Sequence, residues 1–279
     1  MNRIGFRNLF AAFILCCLFV PAGMQGHDPG SKPGTQAPAP AQATPSPVVT
    51  APAPAAATHP DNEYWRKHDE LLKVDFGWLG KFKEADAALP PPAKGESRVV
   101  FMGDSITEGW HFTGPQGFFP RKPYINRGIS GQTTPQMLVR FRQDVIALKP
   151  KVVVILAGTN DIAGNTGPET LEQIEDNLAS MADLATANHI RVVLCSILPA
   201  TDYWWRPGMT PAPKIVAINN WMKAYASEKG YVYVDFHTAM KDKHDGLPAT
   251  LSRDGVHPRP AGYAVMTPLV EAGIEKALK

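Results

Sequence analysis

Short apolar runs rich in β-branched residues alternate with longer segments of helical periodicity from residue 98 to the carboxyl terminus. The runs occupy residues 98–102, 124–127, 152–157, 191–197 and 231–234. Strands that are apolar along their whole length are typical of parallel sheets buried on both faces, and parallel strands are usually connected by a helix. The pattern therefore predicts an α/β domain of three α/β/α layers, with a central parallel sheet of about five strands.

The segments between the runs carry helix signals. After the second run, Thr133 or Thr134 can cap a helix and Pro135 suits its first turn. Comparable segments span residues 170–188, 214–229 and 260–278. Aromatic and aliphatic side chains also recur at helical intervals ahead of the first run, so residues 61–92 are predicted to form a leading helical segment. In parallel sheets covered by helices on both faces, ligands bind beyond the carboxyl ends of the strands.

The amino terminus predicts export. Arg3 and Arg7 precede twelve apolar residues at positions 9–20, and small residues follow, which is the layout of a secretory signal peptide over residues 1–26. An apolar helix of this length spans about 18 Å, whereas a bilayer core measures about 30 Å. Stable membrane insertion is therefore not expected, and a membrane or lipid anchor is the weaker alternative. We expect a periplasmic or secreted bacterial protein.

Composition separates a linker from the folded domain. Residues 27–60 hold nine prolines and nine alanines, which predicts a semi-rigid linker, and the folded domain is expected over residues 61–279. The 28 basic and 26 acidic residues of the chain are mixed, which argues against a nucleic-acid partner. Cys195 is the single cysteine beyond the signal peptide. No internal disulfide is expected, and the apolar neighbours of Cys195 predict a buried, inert thiol.

Residues that are candidates for catalysis or ligand binding follow the first three runs. They are Ser105, Gly128, Gly131 and Asn160. Because the carboxyl ends of parallel strands meet at one edge of a sheet, these residues are expected to lie close together. A serine can act as a nucleophile, a glycine lets backbone approach a ligand, and an asparagine amide can donate to an oxyanion. Each residue also has an ordinary alternative, as a helix cap or part of a tight turn.

Asp254 and His257 lie three residues apart in a turn before the last helical segment. This spacing can place the carboxylate against Nδ1 of the imidazole and leave Nε2 free to accept a proton from a serine. Elsewhere a lone histidine is more often structural, and Asp-Gly is an ordinary turn. Here the pair is a candidate for the base that a nucleophilic serine requires.

Together these motifs resemble the SGNH subgroup of the GDSL esterase and lipase family, whose blocks carry Ser, Gly, Asn and a paired Asp and His. The motifs are Gly-Asp-Ser-Ile-Thr from Gly103, Gly-Ile-Ser-Gly-Gln-Thr-Thr from Gly128 and Gly-Thr-Asn-Asp from Gly158. They look most like the branch of platelet-activating-factor acetylhydrolase catalytic subunits, bacterial acylhydrolases and acetylesterases. The resemblance covers residues 99–278 and implies a flavodoxin-like fold. Ile106 stands where the family name implies Leu, a change frequent in the subgroup.

The resemblance implies a role for each of these residues. Ser105 would be the nucleophile, His257 the general base, and Asp254 the residue that orients this base. The oxyanion hole would consist of the Ser105 and Gly131 N–H groups and the Asn160 side chain. An exported serine esterase that forms an acyl-enzyme on Ser105 is the implied function, with no metal and no organic cofactor.

Specificity is less visible in the sequence. Trp110, Trp204 and Trp205 are candidates for a substrate rim, because aromatic faces suit sugar rings or apolar acyl chains, and core packing is the alternative. We expect a small-molecule or glycan ester with an acetyl or short acyl group. The alternatives are a lysophospholipase or thioesterase-type acylhydrolase, a non-catalytic carbohydrate-binding module, and a metallohydrolase built on His237, Asp242, His244 and Asp245.

Overall fold

The computed structural model describes residues 62–110 and 118–279. The predicted signal peptide at residues 1–26 and the predicted linker at residues 27–60 lie outside the described residues. Among the described helices, none combines the length and the apolar character that a membrane span requires.

Five parallel strands form the central sheet, which confirms the predicted fold class. They are β1 (Val99–Gly103), β2 (Tyr124–Gly128), β3 (Val152–Leu156), β4 (Arg191–Cys195) and β5 (Val232–Val234). Their spatial order is β2-β1-β3-β4-β5, which is the flavodoxin-like doubly wound arrangement. The order reverses between β1 and β3, so a ligand site is expected at the carboxyl ends of these two strands.

Helices connect the strands and cover both faces of the sheet. They are α1 (Glu63–Val74), α2 (Lys83–Ala88), α3 (Ser105–Gly109), α4 (Thr134–Asp144), α5 (Thr159–Ile162), α6 (Leu171–Ala187), α7 (Ala212–Lys229), α8 (Phe236–Met240) and α9 (Pro260–Leu278). Thr133 begins α4 with a capping box that it shares with Gln136, and Pro135 stands in the first turn. The leading segment, predicted over residues 61–92, contains α1 and α2, which are joined by a turn.

Two apolar layers hold the helices on the sheet. Val100 and Met102 of β1 pack in the layer that contains α4, α6 and α7, whereas Val99 and Phe101 face the layer that contains α9. Burial of one large apolar side chain contributes about 1.5–3 kcal/mol, so each layer is a major source of stability. Cys195 lies fully buried in the second layer, and this burial raises the pKa of its thiol, as expected for an inert cysteine.

The structure corrects the assignment of Trp110 to the substrate rim. Trp110 follows α3 directly and is only 2% exposed. Its ring lies 5.9 Å from that of Phe101 and 5.4 Å from that of Tyr263, and its indole nitrogen donates to Thr267 Oγ1 at 3.3 Å. Because α3 is a single turn that returns the chain to the β1–α9 layer, Trp110 is a core residue.

Candidate active site

Ser105 lies at the carboxyl end of β1, as the first residue of α3. The preceding residue, Asp104, caps this helix, since its Oδ1 accepts a hydrogen bond from the Ile106 N–H at 2.9 Å. The Ser105 hydroxyl is therefore not used as the cap. Instead, Ser105 Oγ lies 2.9 Å from Nε2 of His257, which is 152 positions away in the sequence.

The Asp254–His257 turn holds the imidazole in one orientation. Nδ1 of His257 lies 2.7 Å from Asp254 Oδ2, while Asp254 Oδ1 accepts from the N–H groups of Val256 and His257 at 3.0 and 2.8 Å. Gly255 adopts φ +79, a backbone conformation that favours glycine. Partial burial acts to raise the pKa of Asp254, but the hydrogen bonds from His257 and the backbone outweigh it and hold this pKa below its usual range.

The turn after β2 is anchored by Glu108 of α3. Both the backbone N–H and the hydroxyl of Ser130 donate to Glu108 Oε2. Gly128 is a packing residue, because its N–H donates to Asn126 Oδ1 at 2.8 Å and a Cβ there would lie 2.2 Å from Glu108 N. Gly131 has φ +79 and lies on the cavity beside Ser105. Of the two glycines, Gly131 is thus the one that borders the cavity.

Asn160 lies in α5, directly beyond β3, and is 2% exposed. Its Nδ2 donates to the carbonyl of Gln132 at 2.9 Å, and its Oδ1 accepts from Asn165 Nδ2 at 3.0 Å. Gly158, not Asn160, is the N-cap residue of α5. The amide therefore does not cap the helix, and it spans from the β3 end to the Gly131 turn.

Arg140 joins two of these loops from inside α4. It is fully buried, and its guanidinium donates to Gln132 Oε1 at 2.6 Å, to the carbonyl of Gly103 at 3.1 Å and to Asp144 Oδ2 at 2.9 Å. Burial lowers the pKa of Arg140 to about 10, although Asp144 acts in the opposite direction. Arg140 therefore remains a cation at neutral pH and holds the end of β1 against the Gly131 turn.

A cavity of about 260 Å³ opens over these groups. It is lined by Tyr64, Trp65, Ser105, Ser130, Gly131, Asn160, Asn165, Trp204, Trp205 and His257. Asp254 lies behind His257, so all the expected chemical groups meet at this edge of the sheet. Four lining residues were not anticipated as site residues, namely Tyr64, Trp65, Ser130 and Asn165. The helical spacing of the two aromatic residues had indicated packing, and Asn165 lies in a Gly-Asn-Thr-Gly loop that resembles an ordinary turn.

The sequence profile of the GDSL-like lipase/acylhydrolase family matches residues 101–265, more than half of the chain. The chain belongs to this family. The match confirms the resemblance inferred from the four motifs. It includes the residues of the cavity that follow β1, β2 and β3, whereas Tyr64 and Trp65 of α1 lie ahead of it.

Solved and curated relatives support this family assignment. A GDSL-like lipase of Bacteroides thetaiotaomicron is 46% identical, and the match covers 73% of this chain and 100% of that one with a TM-score of 0.70. A candidate acylhydrolase of Bacteroides fragilis is 47% identical, covers 74% and 99%, and has a TM-score of 0.71. An acetylxylan esterase of Xylanibacter ruminicola is 26% identical over 76% of this chain and 48% of its own length. The chain thus spans about half the length of that relative.

Of the residues of the metallohydrolase alternative, His237 is buried in α8, whereas Asp242, His244 and Asp245 lie in the polar loop that follows this helix. Asp242 accepts from the N–H groups of His244 and Gly246 at 2.8 and 3.0 Å, and Asp245 pairs with Lys241 at 2.6 Å. In the described part of the chain, no group of three or more His, Cys, Asp or Glu side chains is placed to hold a metal ion. These contacts stabilise a turn.

A larger cavity of about 820 Å³ lies at the opposite end of the sheet, where β4 and β5 begin. Its basic lining residues are His189, Arg191, Lys229 and Lys276. Here α6, α7 and α9 end, and cations near helix carboxyl termini offset the negative end of the helix dipole. The helix dipoles therefore account for these basic side chains without a ligand. The smaller cavity, at the carboxyl ends of the strands, is the candidate active site.

Asp104, the residue before Ser105, should make stability depend on pH. Burial raises the pKa of its carboxyl from 3.8 to about 7, although the Ile106 N–H and His257 act to lower it. Between these two values the folded state keeps a proton that the unfolded chain has lost, so the free energy of unfolding should fall as pH rises. Asp104→Asn keeps an oxygen for the cap but cannot titrate.

Urea denaturation at about pH 5 and about pH 8 tests this expectation. The decrease in unfolding free energy from the lower to the higher pH should be smaller in Asp104→Asn than in the unaltered protein. Glu172→Gln, on the exposed first turn of α6, is the matched control and should leave the decrease unchanged. Equal decreases in the unaltered protein and in Asp104→Asn would contradict the assignment.

Proposed function

We propose that this protein is an exported serine esterase that hydrolyses acetyl or short acyl esters, with acetylated carbohydrate as its substrate class. The observation that carries the proposal is the continuous chain from Ser105 Oγ through the His257 ring to Asp254, with distances of 2.9 and 2.7 Å, beside a cavity that also contains Gly131 and Asn160. This is the arrangement that acyl transfer through a serine requires.

In the proposed mechanism, His257 Nε2 removes the proton of Ser105 while Oγ attacks the ester carbonyl carbon. The resulting oxyanion accepts hydrogen bonds from the N–H groups of Ser105 and Gly131 and from Asn160 Nδ2. His257 then gives its proton to the departing alcohol, which leaves an acyl-enzyme on Ser105. A water molecule, deprotonated by His257, attacks this ester and releases the carboxylic acid and the free serine.

Cavity size supports a short acyl group. The volume of about 260 Å³ is below the range of about 300–1,000 Å³ that is usual for pockets that hold drug-sized ligands. A short acyl group suits a cavity of this volume better than the long acyl chain that a lysophospholipase would bind. The acetyl group is the smallest acyl group that the mechanism can transfer from a stable ester of a sugar hydroxyl.

Aromatic side chains at the cavity support a sugar as the alcohol. Trp204 is 56% exposed, and its ring lies edge-on to that of Trp205, with 5.5 Å between centroids. Trp205 is buried and lies 6.2 Å from the His257 ring. Exposed aromatic faces beside a reaction centre suit the apolar faces of sugar rings. The acetylxylan esterase among the relatives is consistent with this substrate class. The signal-like amino terminus supports export.

A panel of acetylated xylo-oligosaccharides and p-nitrophenyl esters of increasing chain length tests the proposal. Turnover should be highest with acetyl esters and fall more than about tenfold for octanoyl esters, since each methylene that does not fit costs about 1–3 kcal/mol. Activity should survive a chelator and be lost after treatment with a fluorophosphonate. Trp204→Ala should raise KM for acetylated oligosaccharides but not for ethyl acetate, which has no ring to stack. A preference for long chains, or no turnover of any ester, would overturn the proposal.

A further inference from the structure

We propose that Asn165 is a positioning residue that sets the orientation of the Asn160 amide and links the oxyanion hole to Trp205. The inference rests on the proposed esterase function and adds to it a residue outside the expected triad and oxyanion hole. Asn165 lies in the loop between α5 and α6 and is 4% exposed. Its side chain joins three residues that line the cavity.

Three hydrogen bonds place the Asn165 amide. Its Oδ1 accepts from the indole N–H of Trp205 at 3.0 Å. Its Nδ2 donates to the carbonyl of Gly131 at 3.1 Å and to Asn160 Oδ1 at 3.0 Å. The flanking residues Gly164 and Gly167 have φ of +71 and +115, which favour glycine and let the loop turn sharply around this side chain.

The chemistry of the partners determines which way this amide points. An indole N–H can only donate and a peptide carbonyl can only accept, so Trp205 must meet the oxygen of Asn165 and Gly131 must meet its nitrogen. The same nitrogen then requires an acceptor on Asn160, which makes Oδ1 the atom that faces Asn165. Asn160 Nδ2 is left to donate to Gln132 and, with its second proton, toward the cavity.

This orientation matters because an oxyanion needs a donor. If the Asn160 amide rotated by half a turn, its oxygen would face the carbonyl oxygen of Gln132 and two NH₂ groups would face each other at Asn165, so Asn165 and Gln132 together fix the orientation. Loss of one donor from an oxyanion hole typically lowers kcat by about 10²–10³-fold. Asn165 therefore acts on the reaction through Asn160, with no contact to the reacting atoms required.

Trp205 links Asn165 to the part of the cavity wall that a substrate would contact. Its indole nitrogen holds Asn165, and its ring lies 6.2 Å from that of His257. A substrate that packs against Trp205 thus contacts the residue that holds Asn165, and Asn165 in turn orients the oxyanion donor Asn160. Trp205→Phe keeps an aromatic ring but removes the N–H, so it should lower kcat on ethyl acetate, although less than Asn165→Ala does.

Steady-state kinetics on ethyl acetate test the proposal. Asn160→Ala should lower kcat by about 10²-fold, and Asn165→Ala and the isosteric Asn165→Asp should each lower it by at least about tenfold, with KM changed less than about threefold. The double variant Asn160→Ala/Asn165→Ala should be no slower than Asn160→Ala by more than about threefold, because residues that act through one another are not additive. Thr166→Ala, in the same loop and bonded to Thr133, is the control and should retain wild-type kcat.

The kinetic results distinguish a positioning role of Asn165 from an independent role and from failure of the proposed esterase function. Effects of Asn160→Ala and Asn165→Ala that multiply, or a change confined to KM, would overturn the positioning role while leaving the esterase function intact. If Asn165→Ala does not fold, judged by circular dichroism, Asn165→Asp and Trp205→Phe provide the same comparison with little loss of volume. A wild-type protein that hydrolyses no ester would overturn the proposed function, and the inference with it.

Discussion

Ser105→Ala should lower kcat on short acetate esters by at least about 10⁴-fold, because the variant has no oxygen that can form the acyl-enzyme. Binding and the oxyanion donors remain, so a small residual rate above the uncatalysed reaction is expected. The fold should not change. The side chain that caps α3 belongs to Asp104, and the hydrogen bond that Ser105 Oγ makes is to His257.

A fluorophosphonate probe with mass spectrometry checks the site of reaction. The unaltered protein should carry one adduct on Ser105, and Ser105→Ala should carry none. Ser130→Ala is the matched control, since Ser130 lines the same cavity but its hydroxyl is bonded to Glu108. This control should still be labelled. Undiminished turnover by Ser105→Ala, or an adduct on another residue, would refute the nucleophile.

Asp254→Asn should lower kcat by about 10⁴-fold, and the geometry of the turn explains why. Asp254 Oδ1 accepts from two backbone N–H groups and from the Ser252 hydroxyl at 3.1 Å. The carbonyl oxygen of the introduced amide must occupy this position, which turns its NH₂ toward His257 Nδ1. Nδ1 then has to accept, the ring proton moves to Nε2, and Nε2 can no longer take the proton of Ser105.

Two further variants separate this tautomer effect from a loss of structure. Asp254→Ala leaves the ring free to carry its proton on Nδ1 and should be more active than Asp254→Asn. Ser252→Ala removes a bond to the same carboxylate without affecting Nδ1 and should lower kcat less than about tenfold. An Asp254→Asn variant with more than about a tenth of wild-type kcat would contradict the proposed role of Asp254.

The strands and the residues at their ends could be predicted because both depend on local sequence. Runs such as Val152–Leu156 are apolar along their full length, so burial on both faces follows from the residues themselves. Since parallel strands end at one edge of a sheet, Ser105 and Asn160 were expected together before any distance was known. The short spacing of Asp254 and His257 likewise predicts their contact from chain geometry alone.

The surroundings of these groups were not predictable, because they depend on which distant segments pack together. Trp110 and Trp204 are equally apolar in the sequence, yet a single-turn helix buries the first in the core and a longer connection leaves the second at the cavity. Tyr64 and Trp65 reach the cavity because α1 packs over the Gly131 turn.

The sequence by itself thus determined a parallel α/β sheet and the chemical groups at its carboxyl edge, since burial and strand direction are properties of each segment. Only the tertiary structure decided which groups surround them. Trp204 rather than Trp110 lines the cavity, and Asn165 links Trp205 to Asn160, because these placements depend on contacts between segments that are far apart in the chain.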